Sequence, residues 1–258
     1  MTTVASATLD LLRPVGLAEL DTLASLQTRV DRKYVVPLDA LERLLPGLEP
    51  GARVLEIGGE RDFAYESVYF DTPELTSYLG AARRRRRRFK VRTRTYVDSA
   101  QCWVEVKTRG PRGTTVKNRH PHEPRDRDRL TADSRQFTED VLDDAEVAYP
   151  SESDLAPTLV SRYRRTTIHL PCTNSRTTID TDLVWTDVAT GDELPLSGFA
   201  VIETKTGSTP SSTDRLLWSH GFRPVRISKY GTGMAALHPE LPSTPWRRVL
   251  DRYVAPAA

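Results

Sequence analysis

The sequence predicts an α+β protein built on an antiparallel β-sheet, with helices inserted between its strands. Three observations support this prediction. Several segments alternate apolar and polar residues with a period of two, two pairs of such segments are separated by short turns, and other segments carry the three- to four-residue apolar spacing of helices. Strands that outnumber the helices inserted among them are typical of antiparallel α+β folds.

The first half of the chain contains two predicted helices and four predicted strands. Apolar spacing predicts a helix over 16–27 and another over 38–48, which Pro46 and Gly47 interrupt. Strands are predicted over 28–37 and 65–72. The segments 89–97 and 101–110 are predicted to pair as a hairpin, because a turn signal at Asp98 and Ser99 separates them.

The second half continues in the same way, so one domain over 1–258 is predicted. The sequence indicates a helix over 134–147, a hairpin over 159–170 and 175–185, and a strand over 199–207. A helix over 212–222 is expected to have Ser212 or Thr213 as its N-cap, and a last short helix is expected over 245–254. The core of this domain is placed at about 28–235, and no repeat of fixed period is visible.

Composition restricts the possible functions. Lys and Arg total 37 against 35 Asp and Glu, a formal net charge of +2, whereas a general nucleic-acid coat protein is basic over its whole surface. No segment approaches the roughly 20 apolar residues of a membrane span, and the N-terminus lacks a signal-peptide pattern, so a cytoplasmic protein is expected. Cys102 and Cys172 are isolated, which favours two buried thiols over a disulfide or a zinc site.

The positive charge is concentrated in one stretch, where nine cationic side chains occur between Arg83 and Arg94. In a strand, alternate side chains share a face, so Lys90, Arg92 and Arg94 are expected to point the same way. The alternation can be extended backwards through 83–88. It therefore predicts that this run also belongs to the strand, with some of its arginines on the same face.

Five predicted strands carry such a charged stripe, and in three of them a carboxylate stands two residues before a lysine. These pairs are Asp31 and Lys33, Glu105 and Lys107, and Glu203 and Lys205. One stripe alone is also typical of a solvated sheet face. Together, the arginine-rich stripes favour a closed barrel whose charged interior needs a bound polyanion, because crowded cations repel one another and arginine binds phosphate oxygens in a bidentate fork.

A family resemblance follows from eight short motifs that occur in order between about residues 29 and 234. They are "RVDRKYVV", "VYFDT", "KVRTRTY", "WVEVKTR", "SRYRR", "SRTTID", "VIETKTG" and "ISKYGTGM". The sequence resembles the polyphosphate-polymerase domain of the vacuolar transporter chaperone (VTC) family, a branch of the triphosphate tunnel metalloenzymes. The resemblance implies an eight-stranded antiparallel β-barrel tunnel with helices packed outside, which binds ATP, polyphosphate and Mn²⁺ or Mg²⁺.

The resemblance also implies site residues, which we carry over motif by motif. Six residues are expected to be catalytic: Lys33, Arg92, Arg94, Lys107, Arg165 and Arg176. Phosphate or nucleotide binding is expected at Arg88, Lys90, Lys117, Tyr163, Lys205, Arg226, Ser228 and Lys229, and metal binding at Glu203. The spacing around Lys117 and Arg226 matches the family more loosely. The two glutamates with which the wider superfamily often begins are replaced here by Arg29 and Asp31, which suits the polymerase branch.

Four functions are compatible with these residues. The first is a polymerase that moves the γ-phosphate of ATP onto a growing polyphosphate chain and releases ADP. The second is a tunnel-type triphosphatase that uses water as the acceptor, and the third is a module that binds polyphosphate or nucleotide without turnover. Nucleic-acid binding by 83–88 is the fourth, but with aromatic residues at only 7% of the chain the stacking platforms of single-strand binders are sparse.

Overall fold

The computed structural model of the chain describes residues 7–23, 30–109, 115–147 and 155–254. The helices are α1 (Ala7–Leu11), α2 (Leu17–Leu23), α3 (Leu38–Leu44), α4 (Thr76–Ala82), α5 (Ala132–Asp144), α6 (Ser212–Ser219), α7 (Lys229–Leu237) and α8 (Arg247–Val249). Short 3₁₀ segments occur at Leu45–Gly47, Pro124–Asp126 and Pro171–Thr173, and a π-helical segment at Leu250–Val254. No helix within the described ranges is both long enough and apolar enough to span a bilayer.

Eleven strands form one hydrogen-bonded sheet. They are β1 (Arg13–Val15), β2 (Val30–Pro37), β3 (Arg53–Leu55), β4 (Phe63–Asp71), β5 (Phe89–Tyr96), β6 (Gln101–Arg109), β7 (Thr115–His122), β8 (Ala156–Leu170), β9 (Ser175–Asp187), β10 (Glu193–Pro195) and β11 (Phe199–Thr206). The main order is β2-β11-β9-β8-β4-β5-β6-β7. The α+β prediction and the antiparallel sheet are confirmed. In the described residues this order ends at β2 and at β7, so closure into a tunnel stays a prediction.

The chain divides into two compact units. The first unit comprises Met1–Phe63, Tyr163–Leu183 and Leu196–Arg226, and the second comprises Ala64–Arg162, Val184–Pro195 and Ile227–Ala258. Strands β8 and β9 contribute residues to both units. The prediction of one domain over 1–258 is not decided by this division, and each unit is described on its own.

The core of the first unit lies between the sheet and two helices, α3 and α6. Tyr34 of β2, Ile179 of β9 and Ile202 of β11 are buried on this face against leucines such as Leu41 and Leu217. Burial of a leucine or isoleucine side chain contributes about 1.5–3 kcal/mol, so these contacts fix which face of each strand points inward. The residues between them in sequence must then point to the opposite face.

Helix α6 is attached to this sheet through its N-terminal turn. Ser211, not Ser212 or Thr213, is the N-cap, and its hydroxyl accepts a hydrogen bond from the Asp214 N–H at 3.0 Å. The fully buried Asp214 carboxylate accepts from the Ser211 N–H at 2.8 Å, from the Tyr34 hydroxyl at 2.6 Å and from Thr204 Oγ1 at 2.7 Å. The predicted cap was one residue late because this aspartate completes a capping box only with Ser211.

The core of the second unit lies between its sheet and helix α5. Val91 of β5 and Val104 and Val106 of β6 are buried against Leu130 and Leu142. The alternation predicted for the hairpin is therefore confirmed, since the apolar residues between the charged ones form the core. Helix α5 starts two residues earlier than predicted, at Ala132, where the Thr131 side chain caps it.

A second helical layer of this unit is formed by α4 and α7. Asp71, at the end of β4, accepts hydrogen bonds from the N–H groups of Ser77 and Tyr78 and from the Tyr230 hydroxyl, at 2.8, 2.8 and 2.5 Å. One buried carboxylate thus holds the first turn of α4 and the first turn of α7 against the same strand end.

Several local expectations were wrong. The run 83–88 is not part of a strand: β5 begins at Phe89, and the backbone N–H groups of residues 83–85 bond back to the end of α4. Strand β7, which includes residues 119–122, was not predicted. Cys102 is buried as expected, but Cys172 is exposed in a 3₁₀ turn. Helices α4 and α7 were not predicted, and residues 24–29 of the first predicted helix and strand lie outside the described residues.

Candidate functional site

The charged residues of the first unit share the sheet face opposite its core. Cross-strand pairing places Glu203 of β11 directly opposite Lys33 of β2, and Lys205 opposite both Asp31 of β2 and Arg176 of β9. Directly opposed residues on one face have Cβ atoms about 4.5–5.5 Å apart, so these charges are immediate neighbours. We call this set the balanced face; its charged members are Asp31, Lys33, Arg165, Arg176, Asp180, Glu203 and Lys205.

Glu203 is the centre of the balanced face. Its carboxylate accepts a short hydrogen bond from Lys205, whose ammonium nitrogen also lies 3.5 Å from Asp31 Oδ2. Burial raises the pKa of Glu203, but the charges of Lys33, Lys205 and Arg165 outweigh it and hold that pKa well below its usual range. The side chain of Glu203 is therefore ionised at neutral pH, although only 16% of it is exposed.

The guanidinium of Arg165 is fixed on the same face. Its Nε and NH2 groups donate to the two carboxylate oxygens of Asp180 at 2.6 and 2.8 Å, which makes a bidentate pair. The Cζ atom of the guanidinium lies 5.2 Å from the ring centre of Tyr163. Asp180 is buried, and Arg165 nearly so. A guanidinium held in this way keeps its remaining N–H donors in a defined direction, which suits recognition of a second anion.

The second unit has a face of a different composition, which we call the cationic face. Its charged members include the carboxylate Glu105 and the cations Lys90, Arg92, Arg94, Lys107, Lys117 and Arg119. Strand pairing places Arg92 of β5 opposite Glu105 of β6, and Lys107 opposite both Lys90 and Lys117. All of them stand on the side of the strands opposite the valine core, as the alternation predicted.

Glu105 is the carboxylate at the centre of this face. Arg92 donates to its Oε2 from Nε at 2.9 Å and from NH2 at 2.5 Å, while Lys117 donates to Oε1 at 3.4 Å and Arg94 lies 3.9 Å from it. Burial raises the pKa of Glu105, but Arg92, Arg94, Lys107 and Lys117 hold that pKa far below its usual range. One buried carboxylate therefore organises four cations.

Lys90 connects the cationic face to the start of helix α7. Its ammonium group donates to the hydroxyl of Ser228 at 2.9 Å, and this hydroxyl caps the helix by accepting from the Gly231 N–H at 3.2 Å. The ammonium also lies 5.9 Å from the ring centre of Tyr69 and 5.8 Å from that of Tyr230. A lysine above two rings and at a helix N-terminus is in a place suited to an anion.

The glycines of the last motif have a packing reason. A Cβ at Gly231 would lie 2.1 Å from the ring of Trp246, and one at Gly233 would lie 2.4 Å from the ring of Trp185. Helix α7 can approach these tryptophans only because the two side chains are missing. The motif around Ser228 therefore positions the helix start beside Lys90.

Besides Ser228, three expected site residues lie outside the strands that form the two faces. Arg226 is exposed, after a segment whose Val225 N–H bonds to the Lys33 carbonyl at 2.8 Å. Lys229 is the first residue of α7. Arg88 precedes β5 and donates to the carbonyl of Arg85 at 2.6 Å. The remaining expected residues lie on the two faces, with Tyr163 buried beneath Arg165 and Ser228 bonded to Lys90.

The set of candidate residues omitted the carboxylates that hold the cations. Glu105, Asp180 and Asp31 all contact cations of the two faces. For Glu105 and Asp31 the signal was present in the sequence, because each stands two residues before a lysine of the set. Asp180 had no such signal, since its partner Arg165 comes from another strand.

The resemblance implies a divalent metal ion. The side chains of the site can supply only part of its ligands. The described residues contain no group of three or more His, Cys, Asp or Glu side chains that could surround a cation by themselves. Mg²⁺ commonly takes one or two protein carboxylates and completes its shell with water and substrate phosphate oxygens. Glu203 fits the part of such a single carboxylate, because it is ionised and partly accessible.

Known proteins share the fold of this chain at low sequence identity. No curated protein matches the chain. One similar solved structure is HpAC1 from Hippeastrum, which is described as a candidate adenylyl cyclase with a dominant triphosphatase activity. It is 17% identical to this chain, and the match covers 81% of this chain and 96% of HpAC1. The TM-score of 0.52 shows a similar fold. The PH1012 protein of Pyrococcus horikoshii OT3 is 13% identical, over 75% of this chain and 87% of that one, with a TM-score of 0.38.

The sequence comparison is more specific than these structures. The VTC domain matches residues 28–238, which is most of the chain and contains every candidate residue of both faces. The resemblance inferred from the eight motifs is thereby confirmed. The chain belongs to the VTC domain family.

Proposed function

We propose that this protein is a polyphosphate polymerase that transfers the γ-phosphate of ATP to the end of a growing polyphosphate chain. The observation that carries the proposal is the cationic face, where cations far outnumber the single carboxylate Glu105 and four of them act on it directly. Two like charges 4 Å apart repel by about 4 kcal/mol at an effective dielectric of 20, so this face is best stabilised by an anion with many charges. A polyphosphate chain is such an anion. The closed eight-stranded tunnel of the family is part of this proposal.

The two faces suit different parts of the reaction. The cationic face would hold the polyphosphate, because its cations greatly exceed its carboxylates. The balanced face would hold the phosphoryl group in transfer, because Lys33, Lys205, Arg165 and Arg176 present fixed donors to oxygens that gain charge in the transition state. Tyr163 and Asp180 contribute by fixing Arg165.

The proposed step is an in-line displacement. A terminal oxygen of the polyphosphate chain forms a bond to the γ-phosphorus of ATP, the bond from that phosphorus to the β–γ bridging oxygen breaks, and ADP leaves with the electron pair. Such a transfer needs no protein nucleophile, since positioning and charge neutralisation supply most of the rate enhancement. The lysines and arginines also reduce the repulsion between the donor and the acceptor chain.

Glu203 would hold a Mn²⁺ or Mg²⁺ ion, with phosphate oxygens as further ligands. A divalent ion bound there supplies additional positive charge to the phosphate oxygens. The protein keeps Glu203 ionised by means of Lys33, Lys205 and Arg165, so the carboxylate is available as a ligand at neutral pH.

A triphosphatase is the second candidate. It is favoured by the fold shared with HpAC1, which is described as having a dominant triphosphatase activity. Hydrolysis needs the same balanced face with water as the acceptor, but it gives no role to a cationic face suited to a long anion. We therefore rank it second.

Product analysis separates these candidates. Purified protein is incubated with ATP and Mn²⁺ or Mg²⁺, ADP is quantified, and phosphates are resolved on a gel that separates polymer from orthophosphate. A polymerase gives ADP and long polyphosphate in matching amounts. ADP with orthophosphate alone would replace the proposal with a triphosphatase, and ligand binding without ADP would replace it with a binding module.

The matched variants are Glu203→Gln and Glu60→Gln, which remove the same charge from the same unit. Glu60 is exposed in a turn, outside the balanced face. We expect Glu203→Gln to lower turnover by about 100-fold or more, the usual cost of removing one electrostatic group from a phosphoryl or acyl transfer site. Full turnover by Glu203→Gln would contradict the assignment of the metal ligand.

A further inference from the structure

Six consecutive arginines connect helix α4 to strand β5, and neither face accounts for them. We call residues Arg83–Arg88 the arginine loop. Arg83 to Arg87 are exposed and Arg88 is half-buried. Arg87 pairs with Glu146 at 2.8 Å, on the surface. Arg83, Arg84, Arg85 and Arg86 make no ion pair with any carboxylate in the described part of the chain. Four adjacent guanidinium groups are therefore exposed without a counter-charge from any described residue.

The loop keeps an arginine where the backbone favours glycine. At the end of α4 the Arg85 N–H bonds to the Gly80 carbonyl at 2.8 Å and the Arg84 N–H to the Ala81 carbonyl at 3.1 Å. This is the hydrogen-bond pattern of a helix end whose closing residue is left-handed and usually glycine. Arg84 fills it with φ 52°, at a cost of about 1 kcal/mol. An unfavourable residue retained at such a position points to a role for its side chain.

The loop also leads directly into the cationic face. Arg88 has the same strand parity as Lys90 and Arg92, and its carbonyl accepts a hydrogen bond from the Arg109 N–H at 3.3 Å. Arg109 in turn has the parity of Lys107 on β6. Positive charge thus continues without a break from Arg92, through Lys90 and Lys107, to Arg88 and Arg109, and onward into the exposed loop.

We propose that the arginine loop is an outer binding site for polyphosphate, which holds the units of a long chain that extend beyond the cationic face. This inference rests on the proposed function, since it assumes that the cationic face binds phosphate. Exposed guanidinium groups that have no carboxylate partner can grip successive phosphates through bidentate hydrogen bonds. A tripolyphosphate is expected to be bound without the loop, so the loop would make affinity depend on chain length.

Two other polyanions are less well suited to this surface. Single-stranded nucleic acid binds to aromatic rings as well as cations, but the arginine loop contains no ring, and Phe89 beside it is buried. Peripheral membrane binding combines basic residues with apolar side chains that enter the bilayer. The exposed large apolar side chains of the described residues are all aliphatic, and none belongs to the loop.

Equilibrium binding without ATP tests the proposal independently of turnover. Affinities of the full chain for long-chain polyphosphate and for tripolyphosphate are measured at several salt concentrations. The test variant is Arg83→Ser/Arg85→Ser/Arg86→Ser, which leaves the helix-closing Arg84 in place. The matched control is Arg247→Ser/Arg248→Ser/Arg252→Ser, which removes three exposed arginines from the same unit. A third variant, with lysine at 83, 85 and 86, keeps the charge but removes the bidentate fork.

We expect the test variant to bind long polyphosphate about tenfold more weakly or worse, and the slope of log affinity against log salt to fall by about two to three. Its tripolyphosphate affinity should stay within about twofold, because the removed groups are independent of the two faces. The control should match the wild type, and the lysine variant should recover part of the loss. Circular dichroism confirms that each variant is folded.

Three results would overturn the proposal: unchanged binding of long polyphosphate, an equal loss for tripolyphosphate, or an equal loss in the control. Tighter binding of a DNA oligonucleotide or of anionic lipid vesicles than of polyphosphate, lost in the test variant, would reassign the loop to that partner. Failure of the proposed function has a different signature. Polymer synthesis would then be absent while loop-dependent binding of polyphosphate persists.

Discussion

The balanced face and the cationic face are built from the same strand pattern but differ in the ratio of cationic to anionic side chains. On the balanced face, Lys33, Lys205, Arg165 and Arg176 stand among three carboxylates, Asp31, Asp180 and Glu203. On the cationic face, Glu105 is the single carboxylate among a larger number of lysines and arginines than on the balanced face. Both faces lie opposite an apolar core, so the difference lies only in the residues that alternate with that core.

This difference shows that the carboxylates of a cationic site determine both where its cations are held and how much positive charge is left for a ligand. On the balanced face the acids are distributed, and each cation has an acid within its own strand or on the next one. On the cationic face a single buried acid determines the geometry of its neighbours, while most of the positive charge is left for a ligand. The first arrangement suits fixed donors around a reacting group, and the second suits a long anion.

The largest expected effect is a difference in stability between proteins that lack the charge of one or the other central glutamate, Glu105 or Glu203. Glu105→Gln should lower the free energy of unfolding by about 3–5 kcal/mol, because it leaves the buried Arg92 guanidinium without its counter-charge. Glu203→Gln should cost less than about 2 kcal/mol, since Lys205 retains Asp31 as a counter-charge at 3.5 Å and is therefore not left without a partner. Urea unfolding of both variants measures the difference.

A double variant supplies the control for this comparison. Arg92→Met combined with Glu105→Gln removes both charges of the pair, and should recover part of the loss because no buried charge is then uncompensated. If Glu105→Gln were no more destabilising than Glu203→Gln, the distinction between the two faces would be wrong.

The second prediction concerns ligand binding on the cationic face. Arg94 lies 3.9 Å from Glu105 Oε1 whereas Arg92 lies 2.5 Å from Oε2, so the ion pair of Arg94 with this carboxylate is the weaker of the two. Arg94→Ala should weaken tripolyphosphate binding by about tenfold or more, the loss of one charged hydrogen bond, and change stability by less than about 1 kcal/mol. Arg129→Ala, at an exposed pair with Asp126, is the control. An Arg94→Ala protein that is unfolded would contradict a ligand-facing position.

The third prediction tests whether the first unit tolerates added positive charge. His169 of β8 is buried opposite Arg53, and neither of its ring nitrogens has a hydrogen-bond partner among the described residues. Burial, together with the charge of Arg53, lowers the pKa of His169. Below pH of about 6.5 the unfolded chain therefore binds a proton that the folded chain resists, so stability is complete above that pH and falls as the pH drops.

The expected slope for His169 is at most about 1.4 kcal/mol per pH unit, which corresponds to one proton. His169→Gln should remove this part of the pH dependence between pH 6.5 and 5. His220→Gln, at an exposed histidine of the same unit, should leave it in place. Unfolding midpoints measured in urea at several pH values give both slopes. Identical slopes for wild type and His169→Gln would contradict the prediction.

Much of the two faces was predictable because the strand period is strict. Once Val91, Val104 and Ile202 are assigned to the core, Arg92, Glu105 and Glu203 must point the other way. The ordered motifs added the family, which no single stripe establishes. The partner of Arg165 could not be predicted, because the contact with Asp180 joins two strands whose register is set by packing and not by local sequence.

The arginine loop shows where the period misleads. A run of identical residues fits any alternation, so extending the strand of 89–96 backwards through 83–88 had no independent support. The competing signal was the helix α4, whose first turn donates N–H groups to Asp71, a carboxylate that also accepts a hydrogen bond from Tyr230 far along the chain. Helix α7 was hidden for a similar reason, since glycines lower helix propensity and are present there to admit two tryptophans.

The smallest expected effect concerns the one arginine of the loop that strains the backbone. Arg84→Gly should raise the free energy of unfolding by about 0.5–1 kcal/mol, because glycine adopts φ 52° without the clash that an arginine Cβ meets. Arg83→Gly is the matched control: at φ −87° the arginine is unstrained, so glycine there should be neutral or slightly destabilising. If Arg84→Gly stabilises the fold yet weakens binding of long-chain polyphosphate, the cationic region has retained a charge for its ligand at the expense of its own stability. A stabilised variant with unchanged binding would instead show that the left-handed arginine is only a tolerated residue. The charge surplus would then serve the ligand through the other arginines of the loop.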